Sequence, residues 1–210
     1  MIHPRAATRP GRLAAATAAL ALAASLAGCI TLFPKEKPVQ LYRFDAATPQ
    51  VQPATRTFGV RTSMSDFDPA AAGDRIMTVD GDQVAYVAEG RWSSPANQLF
   101  DEAVAHGFAA PGDAARLVGS TGKAEYRLKL VVTRFEARYP SGPTSAPTVV
   151  VVVRAALDRQ SDLSNVDTKE FKAEINATDN RVGPIVQAFD QATTQVVGEL
   201  VGWVDEKGGG

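Results

Sequence analysis

Side chains able to do chemistry are scarce in this chain, and their placement decides most of what it can be. There is one cysteine, Cys29, and there are two histidines, His3 and His106, in 210 residues. A lone thiol makes no internal disulfide and no thiolate zinc site. Gly119-Ser120-Thr121-Gly122-Lys123 has the look of a phosphate loop. However, Leu117 stands where the first glycine is required and Ala124 where Ser or Thr would hold magnesium, so the stretch reads as a turn. Asp80 and Asp82 flank Gly81 without the rest of a calcium loop, which leaves them to turn chemistry. Asp101, Glu102 and Glu125 are scattered at surface-type positions and form no acid/base pair. No G-x-S-x-G elbow occurs. A Ser-His-Asp triad would rest on His106 alone. That residue falls at the end of a helix-type stretch, where a histidine complements the last carbonyls and the dipole. The expectation is a chain with no catalytic, cofactor or metal residues.

The cysteine fits a different chemistry. Arg5, Arg9 and Arg12 precede an uncharged run from Leu13 to Ser25. As a helix this run would span about 20 Å, short of a hydrocarbon core of about 30 Å. A basic segment, a short apolar run and small residues after it make a secretory signal. The arginines are not adjacent, which argues against a twin-arginine signal. Leu26-Ala27-Gly28-Cys29 then resembles the lipobox of bacterial lipoproteins. That resemblance implies cleavage before Cys29, a diacylglycerol on its thiol and a third acyl chain on its amino group. Ile30, where inner-membrane lipoproteins usually carry Asp, implies the outer membrane, facing the periplasm. The alternative is an ordinary signal peptide with a chance cysteine.

Without residues 1–28 the chain loses His3 and three arginines, leaving 182 residues with 19 Lys+Arg against 23 Asp+Glu, a formal −4. No basic field remains for nucleic acid or anionic lipid, so acyl chains would have to hold the membrane. With 21% charged and 45% hydrophobic residues the chain can bury a core.

The elements that form this core follow from periodicity. Residues 30–39 carry two prolines and read as a tether; 41–44 and 57–63 read as strands, and 46–56 as a loop. Arg75–Val79 and Gln83–Ala88 flank Asp-Gly, the signal of a hairpin whose turn needs positive φ. Ser94 is placed as N-cap and Pro95 as first residue of a helix. Its stripe is Ala96, Leu99, Phe100, Ala103 and Val104, and Gly107 sits at its C′ position. Residues 126–139 form a long strand whose alternation changes phase near Leu130–Val132, as at a bulge. The five valines 149–153 belong in a sheet interior. Phe171, Ala173, Ile175 and Ala177 alternate with polar residues. Ile185, Phe189, Ala192, Val196, Leu200 and Trp203 mark a long final helix. Gly198 and Gly202 within it suggest close approach to another element. The last residues, DEKGGG, read as a frayed tail. The fold expected is α+β, a mostly antiparallel sheet with two amphipathic helices packed against it. Trp92 and Trp203 have two readings: closure of the helix–sheet core, which the pattern favours, or anchorage of a partner.

Taken in order, these segments resemble the ABC-type transport auxiliary lipoproteins. The matching features are the box LAGC, the strand QLYRFD, and the hairpin RIMTVDGDQVAYVAEGRW leading into the helix SSPANQLFDEAVAHGF. Then come YRLKLVVTRFEA, VVVVVRAALDR, EFKAEINA and the helix VQAFDQATTQVVGELVGWV. The resemblance implies a signal over 1–28, an acylated cysteine and tether over 29–40, one auxiliary domain over 41–204 and a flexible tail over 205–210. It implies a non-enzymatic accessory with a mammalian-cell-entry domain protein and an ABC permease/ATPase of a lipid transporter as partners. Lipidation would fall on Cys29. Some members form rings, which makes a homo-oligomer one open state and points to the Val149–Val153 strand and the Gly198/Gly202 face for contacts. The competing reading is an outer-membrane assembly factor for lipopolysaccharide or other envelope components.

Overall fold

The computed structural model describes residues 39–45, 57–110 and 112–209. The expected signal, Cys29, the tether up to residue 38 and the loop over 46–56 lie outside the described residues. In chain order the elements are β1 (Gln40–Tyr42), β2 (Phe58–Thr62), β3 (Asp66–Phe67), β4 (Arg75–Asp80), β5 (Gln83–Trp92) and α1 (Ala96–Gly107). They continue with β6 (Ala115–Leu117), β7 (Tyr126–Arg138), β8 (Thr148–Arg159), β9 (Asn165–Asn176) and α2 (Val182–Gly208).

β7 is the spine of the sheet. One of its edges pairs antiparallel with β8 along its whole length, from Tyr126↔Arg159 to Arg138↔Thr148. Its other edge is shared by β2, β3 and β4 in succession, all parallel, at Val60↔Tyr126, Phe67↔Val132 and Val79↔Arg138. β6 lies beyond β2 and β1 beyond β5, both parallel, while β4–β5 and β8–β9 are antiparallel. The architecture is α+β, and the sheet is mixed rather than mostly antiparallel. Antiparallel neighbours are joined by short turns that the sequence displays, whereas parallel neighbours lie far apart in the chain and leave no local mark.

Local chemistry explains the details. The β4–β5 turn is Gly81-Asp82 with φ +57° at Gly81, the residue that tolerates it. The bulge in β7 falls between Val132 and Arg134 and resets the alternation, so Leu128, Leu130 and Val132, then Phe135 and Ala137, are all buried. Val149, Val151 and Val153 are fully buried in the core that this strand shares with α2. Val150 and Val152 point to the opposite face yet are also buried. Glu136 and Glu174 flank the first in register, Arg134 and Lys172 the second. Their aliphatic stems cover the valines, held by the pairs Arg138–Glu136 at 2.5 Å and Lys172–Glu174 at 2.7 Å. This strand is therefore paired on both edges, and its valines are buried on both faces.

α1 starts at Ala96, one residue later than expected, with Pro95 at the cap position and no side-chain cap. Ser94 is not needed there, because Ala96 N–H donates to Gly73 O (2.9 Å) and Asn97 N–H to Ala72 O (3.3 Å). α2 buries the expected stripe and continues through Asp205–Gly208, into the segment read as a tail. Contacts unseen in the local sequence hold it. The Asp205 carboxylate accepts Ala114 N–H (3.2 Å) and Ala115 N–H (2.7 Å), and Tyr126 O–H donates to Gly208 O (3.2 Å). Gly202 has open space where a Cβ would stand, so it is not a close-approach site. That role belongs to Gly107, where an added Cβ would lie 2.4 Å from Val197 Cγ1 of α2.

Candidate functional site

The residues singled out for chemistry do not converge. His106, at the last turn of α1, is half-exposed and its Nδ1 sits 2.8 Å from Asp45 Oδ1. Asp45 N–H in turn donates to Asp190 Oδ1 at 2.8 Å, so the imidazole ties the chain after β1 to both helices. Asp101 accepts the Ser65 hydroxyl (2.6 Å), Glu102 accepts Gln98 (3.1 Å) and Glu125 accepts Gly59 N–H (2.6 Å). Each carboxylate is thus engaged by a different local partner. The 119–123 stretch is a turn closed by Gly122 N–H to Gly119 O (3.0 Å). Arg61 donates to the Gly122 carbonyl (2.7 Å) and the Ser120 carbonyl (3.3 Å), fixing that turn against β2.

Trp92 is 2% exposed, with ring centroids 5.1 Å from Phe44 and 5.3 Å from Phe189. Trp203 is 4% exposed, 5.7 Å from Phe171, and its Nε1–H donates to Asp167 Oδ2 at 3.1 Å. Both rings therefore fill the core, the placement that the sequence pattern favours. Cys29 lies outside the described residues. Among the described residues no group of three or more His, Cys, Asp or Glu could hold a metal ion, and no helix is long and apolar enough to cross a membrane.

Two features were not visible in sequence. The first is an open cleft of about 850 Å³ between β1, the outer half of β5, the turn after β7 and the first turn of α2. Tyr42, Tyr86 and Tyr139 line it together with Val87, Val182 and Ile185. Tyr139 O–H donates to Asn180 Oδ1 (2.9 Å) and Asn180 Nδ2 to Pro143 O (2.8 Å), which fixes the β7–β8 turn to the start of α2. Burial pushes the Tyr139 hydroxyl above its ordinary pKa. Gly90 allows the helix to close one wall, since a Cβ there would lie 2.5 Å from Val182 Cγ1. A glycine within a strand was the one sequence signal of this approach. The second feature is Asp113, 1% exposed, with neither carboxylate oxygen hydrogen-bonded. Burial first, and the Asp205 carboxylate second, raise its pKa against the opposing pull of Arg116.

This arrangement of a mixed sheet and two helices has known counterparts. A family model, ABC-type transport auxiliary lipoprotein component, matches residues 42–201. The solved structure of protein XCC0632 from Xanthomonas campestris superposes with a TM-score of 0.72 at 22% identity, covering 81% of this chain and 97% of that one. A second solved structure, of an uncharacterized protein, gives 0.63 at 16% identity over 80% and 99% of the two chains. At these identities the structures speak to the fold alone. No curated protein matches the sequence.

Proposed function

The chain belongs to the ABC-type transport auxiliary lipoprotein family, and from this premise we propose that it is a non-enzymatic accessory of an ABC-type lipid transporter, anchored in the outer membrane through acyl chains on Cys29. The family places it beside an ABC transporter. The finer reading adds a mammalian-cell-entry domain protein and a permease/ATPase pair as partners. The observation that carries it is the family match across the folded domain, downstream of a lipobox in the right order. The scattered carboxylates and the His106–Asp45 contact support a binding rather than a catalytic role. The domain would stand in the periplasm at the end of a short tether, while ATP is hydrolysed by another subunit.

Anchorage has a direct test. Cells grown with a radioactive fatty acid should label the wild-type protein, and the label should sediment with outer membranes. Cys29→Ala should be unlabelled and released. Label persisting in that variant, or wild-type protein recovered with inner membranes, contradicts the reading.

A further inference from the structure

The sheet face turned away from the two helices has a charge of its own. On β7, β8 and β9 the register places Arg127, Lys129, Arg134, Arg138, Arg154 and Lys172 on that face. Its four acids are all engaged. Asp158 pairs with Lys129 (2.9 Å), Glu136 with Arg138 (2.5 Å), Glu174 with Lys172 (2.7 Å) and Glu170, more loosely, with Arg154 (3.9 Å). Arg127 and Arg134 are the surplus. Arg61 and Asp66, beside this face on β2 and β3, cancel each other in the count.

Among the described residues, 16 Lys and Arg stand against 22 Asp and Glu. The face holds six of the former and four of the latter and is +2; the remainder, ten against 18, is −8. The formal −4 of the chain after residue 28 thus conceals two opposite poles. We propose that the outer face of β7–β9 lies on the anionic headgroup surface of the bilayer to which the domain is tethered.

Composition and shape both fit this occupant. The side chains of Lys129, Arg154 and Lys172 are 55%, 62% and 52% exposed. Between them stands Val131, opposite Arg154 and itself 37% exposed. Long cationic side chains around an apolar residue suit a headgroup layer, because their stems pack while their charged ends reach phosphate. The two surplus arginines stand about 20 Å apart along β7, at about 3.3 Å per residue. A planar charged surface meets both, and a single acidic side chain does not. The surface potential fades within about 8 Å in physiological salt, so only a face laid flat brings all six cations into it. Two net charges at such a surface favour this orientation by roughly 30-fold. The acidic remainder is repelled, and the helices are left facing away from the membrane, open to other subunits. The proposal rests on the acylated Cys29, which keeps the bilayer at close range.

The full-length lipoprotein, reconstituted in vesicles, tests it. The thioether at Cys29 leaves no thiol, so one introduced cysteine can carry a polarity-sensitive fluorophore. Val131→Cys reports the proposed face, and Gln191→Cys on the exposed side of α2 is the control. In vesicles of phosphatidylcholine mixed with phosphatidylglycerol, acrylamide quenching at Val131→Cys should fall severalfold relative to phosphatidylcholine alone. The protection should vanish at high salt and in Arg127→Gln/Arg134→Gln, which removes the surplus charge and keeps much of each stem, while Gln191→Cys should stay quenched throughout. Equal quenching in both kinds of vesicle overturns the proposal, as does protection unchanged by the two glutamines or shared by the control. Protection absent from these vesicles yet present in intact envelopes overturns it too, since the occupant would then be an acidic protein. Protein that fails to float with either vesicle refutes the anchor and this proposal together; protein that floats unprotected refutes this proposal alone.

Discussion

Gly107→Ala probes the seam between the two helices. Alanine is ordinarily the better helix residue, by about 0.5–1 kcal/mol. Here the new Cβ would lie 2.4 Å from Val197 Cγ1, well inside contact distance. Val197 is fully buried on α2, and a β-branched side chain in a helix has essentially one favourable rotamer. Relief thus requires α1 and α2 to shift, an overpacking cost of about 1–3 kcal/mol. The cost outweighs the propensity gain, leaving a net loss of about 1–2 kcal/mol, which for a domain of this size lowers Tm by roughly 2–8 °C. Thermal denaturation by circular dichroism reads this directly. Val197→Ala alone should also destabilise, through its cavity. In the double variant the two changes should compensate, with a coupling of about 1 kcal/mol or more. A Gly107→Ala Tm at or above wild type, or strictly additive effects in the cycle, would refute the close-packed seam.

Further outcomes are expected elsewhere. Asp113→Asn should raise stability at pH 7 by about 1 kcal/mol, because it removes a buried carboxyl without a hydrogen-bond donor. Its folded pKa is raised, so the native state holds a proton that the unfolded chain releases near pH 4. Wild-type stability should therefore fall as pH rises from about 4 through the folded value, and the variant should lose that slope. A slope unchanged in Asp113→Asn contradicts the assignment. Trp203→Ala should cost about 3–5 kcal/mol, yet below its Tm it should bind partners like wild type, since the ring is core. Selective loss of partners with normal melting would restore the interface reading. His106→Ala should leave transport function intact; loss of function without loss of folding would revive a chemical role for the imidazole.

What was legible in the sequence was what is local. The Asp80–Asp82 turn, both helical stripes and the phase change in β7 each declare themselves within a few residues. The three short strands sharing one edge of β7 do not, because Val60, Phe67 and Val79 meet it across long sequence separations. Glycines were ambiguous for the same reason. Gly107 at a helix end suits a terminator and a close-packing site equally, and only the position of Val197 decides between them. DEKGGG looked like a tail because its partners, Ala114, Ala115 and Tyr126, lie some 80–90 residues upstream. The cleft was hidden because four separate segments build it.

The central claim is the place of this protein in a transporter. Affinity purification of the full-length lipoprotein from gently solubilised envelopes, with mass spectrometry of what comes with it, tests this most directly. The account predicts recovery of an ABC permease, its ATPase and a protein with a mammalian-cell-entry domain, all lost from membranes of the Cys29→Ala strain. Recovery of lipopolysaccharide or polymer assembly proteins instead, with no transporter subunit under conditions that keep the transporter intact, would contradict it.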